Sequence, residues 1–416
     1  MAVVTSWLEK SHVGASGPEW NFTFSDRCLI AGRALWFYAT KILCPHPLIF
    51  IYPRWRHMSL PQCPALILFP LAAITVVIAL WLLRKRLGRG PLVAVLFFAG
   101  TLLPALGFIN LYPMRYSFVA DHFQYHACIG LIVLAAAALR KIPAPASTAL
   151  AAIIIAILGF LTWRQGPIYH NQLTLWQDVV QHNPTSWMAQ GNLGDEYAAL
   201  SNRTDLPADQ QHEYRRQAVA CYAELYRLAP EQPLAHLKWG IVKEYDGDLA
   251  AAENEFNQSL RLAPTFTIAM NSLGMLMMRQ HRTDEALAWY RKAVALDPGY
   301  AEARVNFGDA LLATGDEDAA FAQYAQAAAV RPDNVEAQFK LGNMLLLDQH
   351  NPVEATYHYL AALASDPTRA DIWVNLSAAF LERGNLDEAR EDCGQALRLD
   401  PNLPQAKQLW QELERR

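Results

Sequence analysis

The segment from Pro298 to Pro332, PGYAEARVNFGDALLATGDEDAAFAQYAQAAAVRP, decides the fold of this chain. It reads as two helices, with the small Gly308 on the first and the small Ala320 and bulky Tyr324 on the second. The same pattern recurs. Prolines stand at Pro230, Pro264, Pro298, Pro332, Pro367 and Pro401, at intervals of 34, 34, 34, 35 and 34 residues. Ten residues after each of the first five comes Gly240, Gly274, Gly308, Gly342 or Ser377. Each feature has a packing reason. The small residue lets the second helix approach, Ala252, Ala286, Ala320, Ala355 and Ala389 do the same from the other side, and Phe256, Tyr290, Tyr324 and Tyr359 fill the space between. The proline ends the second helix because it lacks an N–H and clashes with the preceding turn.

A period of 34 residues is that of the tetratricopeptide repeat (TPR). An earlier unit opens at Trp187, with Pro184, Gly194, Ala218 and Tyr222, and is stretched by twelve residues around Ser201 to Gln211. The reading is six repeats over residues 187–403, a partial repeat helix over 171–186, and a capping helix over 404–416 that carries Leu409, Trp410 and Leu413. One helix pair cannot bury its apolar face alone, so the units are expected to stack into a superhelix with a concave groove. Within each repeat the sixth position is expected to line that groove: Asn192, Lys238, Ser272, Asn306, Lys340 and Asn375, with Asp309 and Asn343 one turn on. Such amide and ammonium groups can hydrogen-bond the backbone of an extended peptide, or they are ordinary solvated polar positions. Either way they are expected to face water, so that changing them leaves folding little affected.

The chain divides in charge as well as in pattern. Residues 1–170 carry 14 Lys and Arg against 4 Asp and Glu, while the remainder carries 21 against 35. A basic apolar half before an acidic half points to a membrane, and no basic stripe with interleaved aromatics points to nucleic acid. Four uncharged segments read as spans within 66–164: Leu66 to Leu83, Pro91 to Leu111, Ala127 to Leu139 and Thr148 to Trp163. Arg84, Lys85, Arg86 and Arg89, then Arg140 and Lys141, mark the cytoplasmic loops. The expected fold class is therefore all-α, a multi-span transmembrane region followed by a TPR α-solenoid. The protein is expected in an inner or plasma membrane with its repeats extracytoplasmic.

Residues 1–65 fall on the same outer side. Within them Cys28 to Leu43 is expected to lie on the membrane surface, because Arg33 and Lys41 would each cost about 2.5–3.5 kcal/mol inside the bilayer. Met1 to Trp20 has no signal-peptide pattern, and the expectation is that Met1 is internal to a longer polytopic protein. The six cysteines form no CxxC pair and have no His at zinc-ligand spacing, so neither a metal nor a cofactor is expected. Cys44 and Cys63 flank one loop, either bridged or as two free thiols. No nucleophile motif, P-loop or dinucleotide signature occurs.

Between the second and third spans lies an outer cluster of Arg115, Asp121, His122, Tyr125 and His126. Ionisable groups at a membrane boundary are candidate functional groups, and an interfacial ion pair within an aromatic belt is the alternative. The runs Ile30-Ala-Gly-Arg-Ala-Leu-Trp-Phe-Tyr38, Phe50-Ile-Tyr-Pro-Arg-Trp55 and Arg115-Tyr-Ser-Phe-Val-Ala-Asp-His-Phe-Gln-Tyr125 resemble those of bacterial membrane TPR proteins. These are similar in turn to the transmembrane-and-TPR protein O-mannosyltransferases of the GT-C glycosyltransferase class. The resemblance implies the carboxyl-terminal portion of an enzyme that uses a polyprenyl-phosphate sugar, with the catalytic acid in an amino-terminal part. It also implies lipid-phosphate or sugar contact by Arg115, Asp121, His122 and Tyr125, and an acceptor polypeptide in the groove. Here His122 stands where the family has arginine, and an imidazole with a pKa near ~6.5 is only partly charged at neutral pH. This chain alone is expected to be non-catalytic; a membrane-tethered scaffold without any catalysis is the alternative.

Overall fold

Thr23 starts the first helix, Phe24–Leu43, with a capping box: its hydroxyl accepts from the Asp26 N–H while Asp26 accepts from the Thr23 N–H. This helix belongs to a computed structural model that describes residues 20–55, 63–203 and 205–416. The chain divides into two units, Met1–Ala229 and Pro230–Arg416. Among the described residues every regular element is helical. Of the outer segment expected over 1–65, residues 1–19 and 56–62 lie outside the described residues.

In the first unit, Phe24–Leu43 begins four residues before the surface helix expected from sequence and is packed into protein. Leu29, Ile30, Ala31, Gly32, Ala34 and Tyr38 are buried. A Cβ on Gly32 would sit 2.6 Å from Pro70, so glycine permits the close crossing with helix Leu68–Leu82, and the Trp36 indole donates to the Phe69 carbonyl at 3.0 Å. The two charges are handled by neighbours. Arg33 lies 4.4 Å over the Trp55 ring, and the Lys41 ammonium donates to the Pro47 carbonyl.

Two helices are long and apolar enough to cross a membrane, Pro64–Leu82 with 19 residues and Ala144–Tyr169 with 26. The other two expected spans form shorter apolar helices, Gly90–Ala105 and Cys128–Leu139. The second of these covers only about 18 Å at 1.5 Å per residue, against a hydrocarbon core of about 30 Å. These two short helices pack closely, because Gly130 lets the backbone of Ala94 approach to where a Cβ would stand 2.7 Å from its carbonyl oxygen.

A further feature of this unit had no sequence signal. The loop at 48–52 runs against helix Gln172–His182: Asn183 donates to the Ile51 carbonyl at 3.2 Å, and Ile51 is buried with Trp176, Val179, Ala189, Leu193 and Cys221. Helix Gln172–His182 is capped by Asn171, whose side chain accepts from the Thr174 N–H at 2.9 Å. The first repeat follows, as Trp187–Ser201 and a long second helix, Ala208–Leu228. All six cysteines, Cys44 and Cys63 included, are free thiols.

The second unit contains five helix pairs and a final helix. The first helices are Pro233–Tyr245, Thr267–Arg279, Ala301–Ala313, Val335–Leu347 and Ala370–Glu382. Their partners are Leu249–Leu262, Thr283–Leu296, Glu317–Val330, Pro352–Ser365 and Leu386–Leu399, and Pro404–Arg415 closes the array. The small-residue pattern acts as its spacing implies. A Cβ on Gly240, Gly274 or Gly308 would come within 2.5 Å of Phe256, Tyr290 or Tyr324, and one on Gly342 within 2.7 Å of Tyr359. In the last pair the bulk is redistributed: Ser377 and Cys393 are both fully buried, and the Ser377 hydroxyl donates to the Ala389 carbonyl at 2.6 Å.

Inter-repeat turns are fastened from the next helix. His236 Nε2, Arg304 Nε, Gln338 Nε2 and Trp373 Nε1 donate to the carbonyls of Pro230, Pro298, Pro332 and Pro367 at 2.8–3.0 Å. Inside each repeat the two helices are joined through a left-handed residue. Gly247, Gly315 and Gly384 take that place in three repeats, and His281 (φ 59°) and His350 (φ 51°) in the other two.

Candidate functional site

Successive first helices from Thr267–Arg279 to Ala370–Glu382 touch one another, Arg279 donates to Glu244 of Pro233–Tyr245 at 2.7 Å, and the five helices line the inner face of the second unit. Along each, residues three or four apart share this face. Three of the groove side chains expected to face water, Asn306, Lys340 and Asn375, bond from repeat to repeat, while the Ser272 hydroxyl donates to the Ile268 carbonyl of its own helix at 3.1 Å. Asn306 donates to Asn271 Oδ1 at 2.9 Å, the Lys340 ammonium to Asp309 Oδ1 at 2.9 Å, and Asn375 to Asn343 Oδ1 at 2.8 Å. All six of these side chains are buried or half-buried. Two acceptors are also held from behind: Tyr324 OH donates to Asp309 at 2.5 Å and Tyr359 OH to Asn343 at 2.8 Å. The tyrosine that fills the gap beside each glycine thus also aims a polar group into the groove, and its own ionisation is disfavoured by burial. Asn271 is the member sequence reasoning missed, because the groove position was assigned one residue further on, to Ser272.

Lys238 is half-buried on the first helix of the second repeat. Asn192 belongs to the first unit, half-buried on Trp187–Ser201, where Tyr222 OH donates to Asp195 at 2.6 Å in the same fashion.

In the first unit, Asp121 is the centre of a cluster whose other members sequence reasoning did not assemble. Tyr52 OH donates to the carboxylate, 3.0 and 3.1 Å from its two oxygens. Burial raises the Asp121 pKa above the usual carboxylate range, and the Tyr52 bond and the nearby Lys41 and His122 pull it back. Tyr38 OH accepts from the Ala120 N–H at 3.1 Å and fixes the loop. Arg115 lies 5.7 Å over the Trp187 ring, His122 stands edge-on to Phe123, and the Tyr125 ring is exposed. Lys41 and Tyr52 lie 80 and 69 residues from Asp121, and only the folded chain brings them to it. No group of three or more His, Cys, Asp or Glu suited to a metal occurs among the described residues.

Comparison with known proteins bears on the repeats. Residues 237–301, 277–345 and 346–413 match models described as tetratricopeptide repeat. No curated protein matches the chain. Among solved structures, YrrB, described as a TPR protein with an unusual peptide-binding site, is 18% identical over 45% of this chain and 96% of its own, with a TM-score of 0.37. PilF of Pseudomonas aeruginosa is 17% identical over 54% and 99%, with a TM-score of 0.43. PilW, described as a type IV pilus biogenesis factor, is 22% identical over 52% and 98%, with a TM-score of 0.40. Family match and helix pairing agree, and residues 237–413 are tetratricopeptide repeats.

Proposed function

We propose that this protein holds an extended polypeptide segment on the inner face of its repeats while its amino-terminal helices anchor it in a membrane. The observation that carries the reading is the ladder of Asn271, Asn306, Asp309, Lys340, Asn343 and Asn375. An extended backbone offers N–H and C=O groups in alternation, so an amide bonded to its neighbour can exchange that bond for one to the guest. Because one hydrogen bond replaces another, little is lost on exchange, and sequence preference arises elsewhere. A peptide array probed with the full chain in detergent tests this. Retention should fall when Lys340→Ala and Asn343→Ala are combined, and retention that ignores these changes but responds to the outer-face change Lys292→Ala would overturn it.

The orientation belongs to the same proposal: the basic loops lie in the cytoplasm and the repeats outside it. Cys44 is an exposed thiol on the outer side in this reading. A membrane-impermeant maleimide should label it in sealed right-side-out vesicles; labelling that requires lysis would reverse the topology.

The Asp121 cluster favours a second reading, that this chain is the carboxyl-terminal portion of a polyprenyl-phosphate-sugar-dependent protein O-glycosyltransferase. A half-buried carboxyl, a tyrosine hydroxyl and an ammonium could together meet a sugar hydroxyl or the lipid phosphate, with Arg115, His122 and Tyr125 around them. The chain alone remains non-catalytic in this reading. Membranes bearing it would be given a polyprenyl-phosphate sugar. Thermal stabilisation by the lipid that is lost in Asp121→Asn supports the reading, and stabilisation indifferent to that change removes it.

A further inference from the structure

The inner face is not uniform. Where repeats 4 and 5 present Asp309 and Asn343, each bonded to a tyrosine hydroxyl, repeats 2 and 3 present Ile241 and Met275. In repeat 2 the residue behind is Phe256, which has no hydroxyl to aim. Ile241 is 39% exposed, Met275 44%, and on the same stripe Tyr245 is 56% and Ile268 45% exposed. Three large apolar side chains, Ile241, Ile268 and Met275, therefore stand exposed on two neighbouring first helices at positions where repeats 4 and 5 carry Asp309, Asn343, Glu302 and Glu336, and Tyr245 lies one turn beyond Ile241. Within the second of these helices Asn271 donates to Met275 Sδ at 3.7 Å, one turn away.

The remaining three repeats are acidic on this face. Glu302, Asp309, Glu336, Asp371 and Glu382 occupy it. Lys340 is bonded to Asp309, Arg369 to Glu336 and Asp371 at 2.7 Å each, and Arg331 lies near Glu302. Negative charge is left in excess, and Leu347 is the one large exposed apolar side chain at the groove edge of repeat 5.

We propose that the guest segment is divided in the same way, with apolar side chains over repeats 2 and 3 and Lys or Arg over repeats 4 to 6. This rests on the groove reading above and adds the chemistry of the partner. Five first helices spaced by about 8–10 Å span about 40 Å, which an extended chain covers in roughly twelve residues at about 3.3 Å each. Apolar burial would supply affinity, and the carboxylates would set the register and reject acidic segments.

The test uses the full chain in detergent and four labelled twelve-residue peptides read by fluorescence anisotropy. One has Leu at positions 1, 2 and 4 and Arg at 8, 10 and 12; the second is its reversed sequence. The third replaces Arg by Asp, and the fourth replaces Leu by Ser. The better of the first two should bind at least tenfold tighter than the third or the fourth. Its advantage over the Asp peptide should shrink severalfold in Glu302→Lys with Glu382→Lys, both exposed positions where folding is not at stake, and in raised salt. Ile241→Ser with Met275→Ser should remove its advantage over the Ser peptide. Equal binding of the Arg and Asp peptides overturns the inference, and so does absence of binding by all four. If binding is lost with Lys340→Ala and Asn343→Ala yet ignores peptide composition, the groove reading stands and this division falls. Binding that ignores every inner-face change removes the groove reading itself.

Discussion

Gly308→Ala is a demanding substitution, because ordinary helix chemistry favours it and the packing opposes it. Alanine is better than glycine in a helix interior by about 1 kcal/mol. Its Cβ, however, would lie 2.5 Å from Tyr324 Cε1, 2.8 Å from Cζ and 2.9 Å from Cδ1. Carbon pairs settle at about 3.5–4.0 Å, so the ring must retreat by about 1 Å. It has little freedom to do so: Tyr324 is fully buried and its hydroxyl is tied to Asp309 at 2.5 Å. Overpacking costs about 1–3 kcal/mol, and loss of the Asp309 bond adds about 0.5–1.5. After the propensity gain, a net destabilisation of about 1–3 kcal/mol is expected.

The final repeat suggests the control. There a Ser377 and Cys393 pair replaces glycine and aromatic. In a Tyr324→Cys background the added methyl meets no ring, so Gly308→Ala should become neutral or stabilising, a coupling of about 1–3 kcal/mol between the two sites. Urea unfolding followed by far-ultraviolet circular dichroism gives the cycle, and hydrogen exchange over residues 301–330 localises it, since an array of repeats need not unfold in one step. If Gly308→Ala stabilises the protein with Tyr324 in place, the close approach of the two helices is wrong.

Three more outcomes follow from the same geometry. Burial, with Glu391 and Glu388 close by, pushes the Asp392 carboxyl up to about 6, so its contribution is fully present below the ordinary carboxylate value of about 4 and is lost as pH rises from there through about 6. Asp392→Asn should stabilise the protein by about 1–1.5 kcal/mol at pH 7.5, after discounting for partial exposure, and so raise the melting temperature there while leaving it little changed below pH ~3.5; equal effects at both pH values would remove the cause. His350→Gly should stabilise by about 0.5–1 kcal/mol, since glycine tolerates the left-handed φ of 51°; a lower melting temperature would show that the imidazole has a role of its own. Asn306→Ala with Asn375→Ala should lower stability by about 1–3 kcal/mol, because two inter-repeat bonds are lost. An unchanged melt would return these amides to the solvent-facing role expected from sequence.

The repeat half was legible because its signal is periodic. Gly240, Gly274, Gly308 and Gly342 each lie sixteen or seventeen residues before Phe256, Tyr290, Tyr324 or Tyr359, and that interval alone brings each pair together. What the interval does not carry is the direction of a polar side chain on the inner face. Asn306 and Asn375 were read as facing water because sequence gives exposure per residue, whereas their partners Asn271 and Asn343 lie one repeat away. The amino-terminal half has no period to lend it redundancy. Asp121 was singled out from its loop, yet Tyr52 and Lys41 reach it from distant segments, and nothing in the spacing marks them. For the same reason the charges of Arg33 and Lys41 alone place Cys28 to Leu43 in a reading from sequence. The aromatic faces that receive them, Trp55 and Tyr52, lie in another part of the chain.

Whether the inner face of the repeats receives a polypeptide can be read from hydrogen exchange on the full chain in nanodiscs, with and without the tightest-binding array peptide. Side-chain engagement should slow exchange in the first helices, Pro233–Tyr245 through Ala370–Glu382, and leave Leu249–Leu262 and its counterparts on the outer face unchanged. Protection confined to the outer helices, with the inner ones exchanging as in the free protein, would show that the polypeptide binds elsewhere.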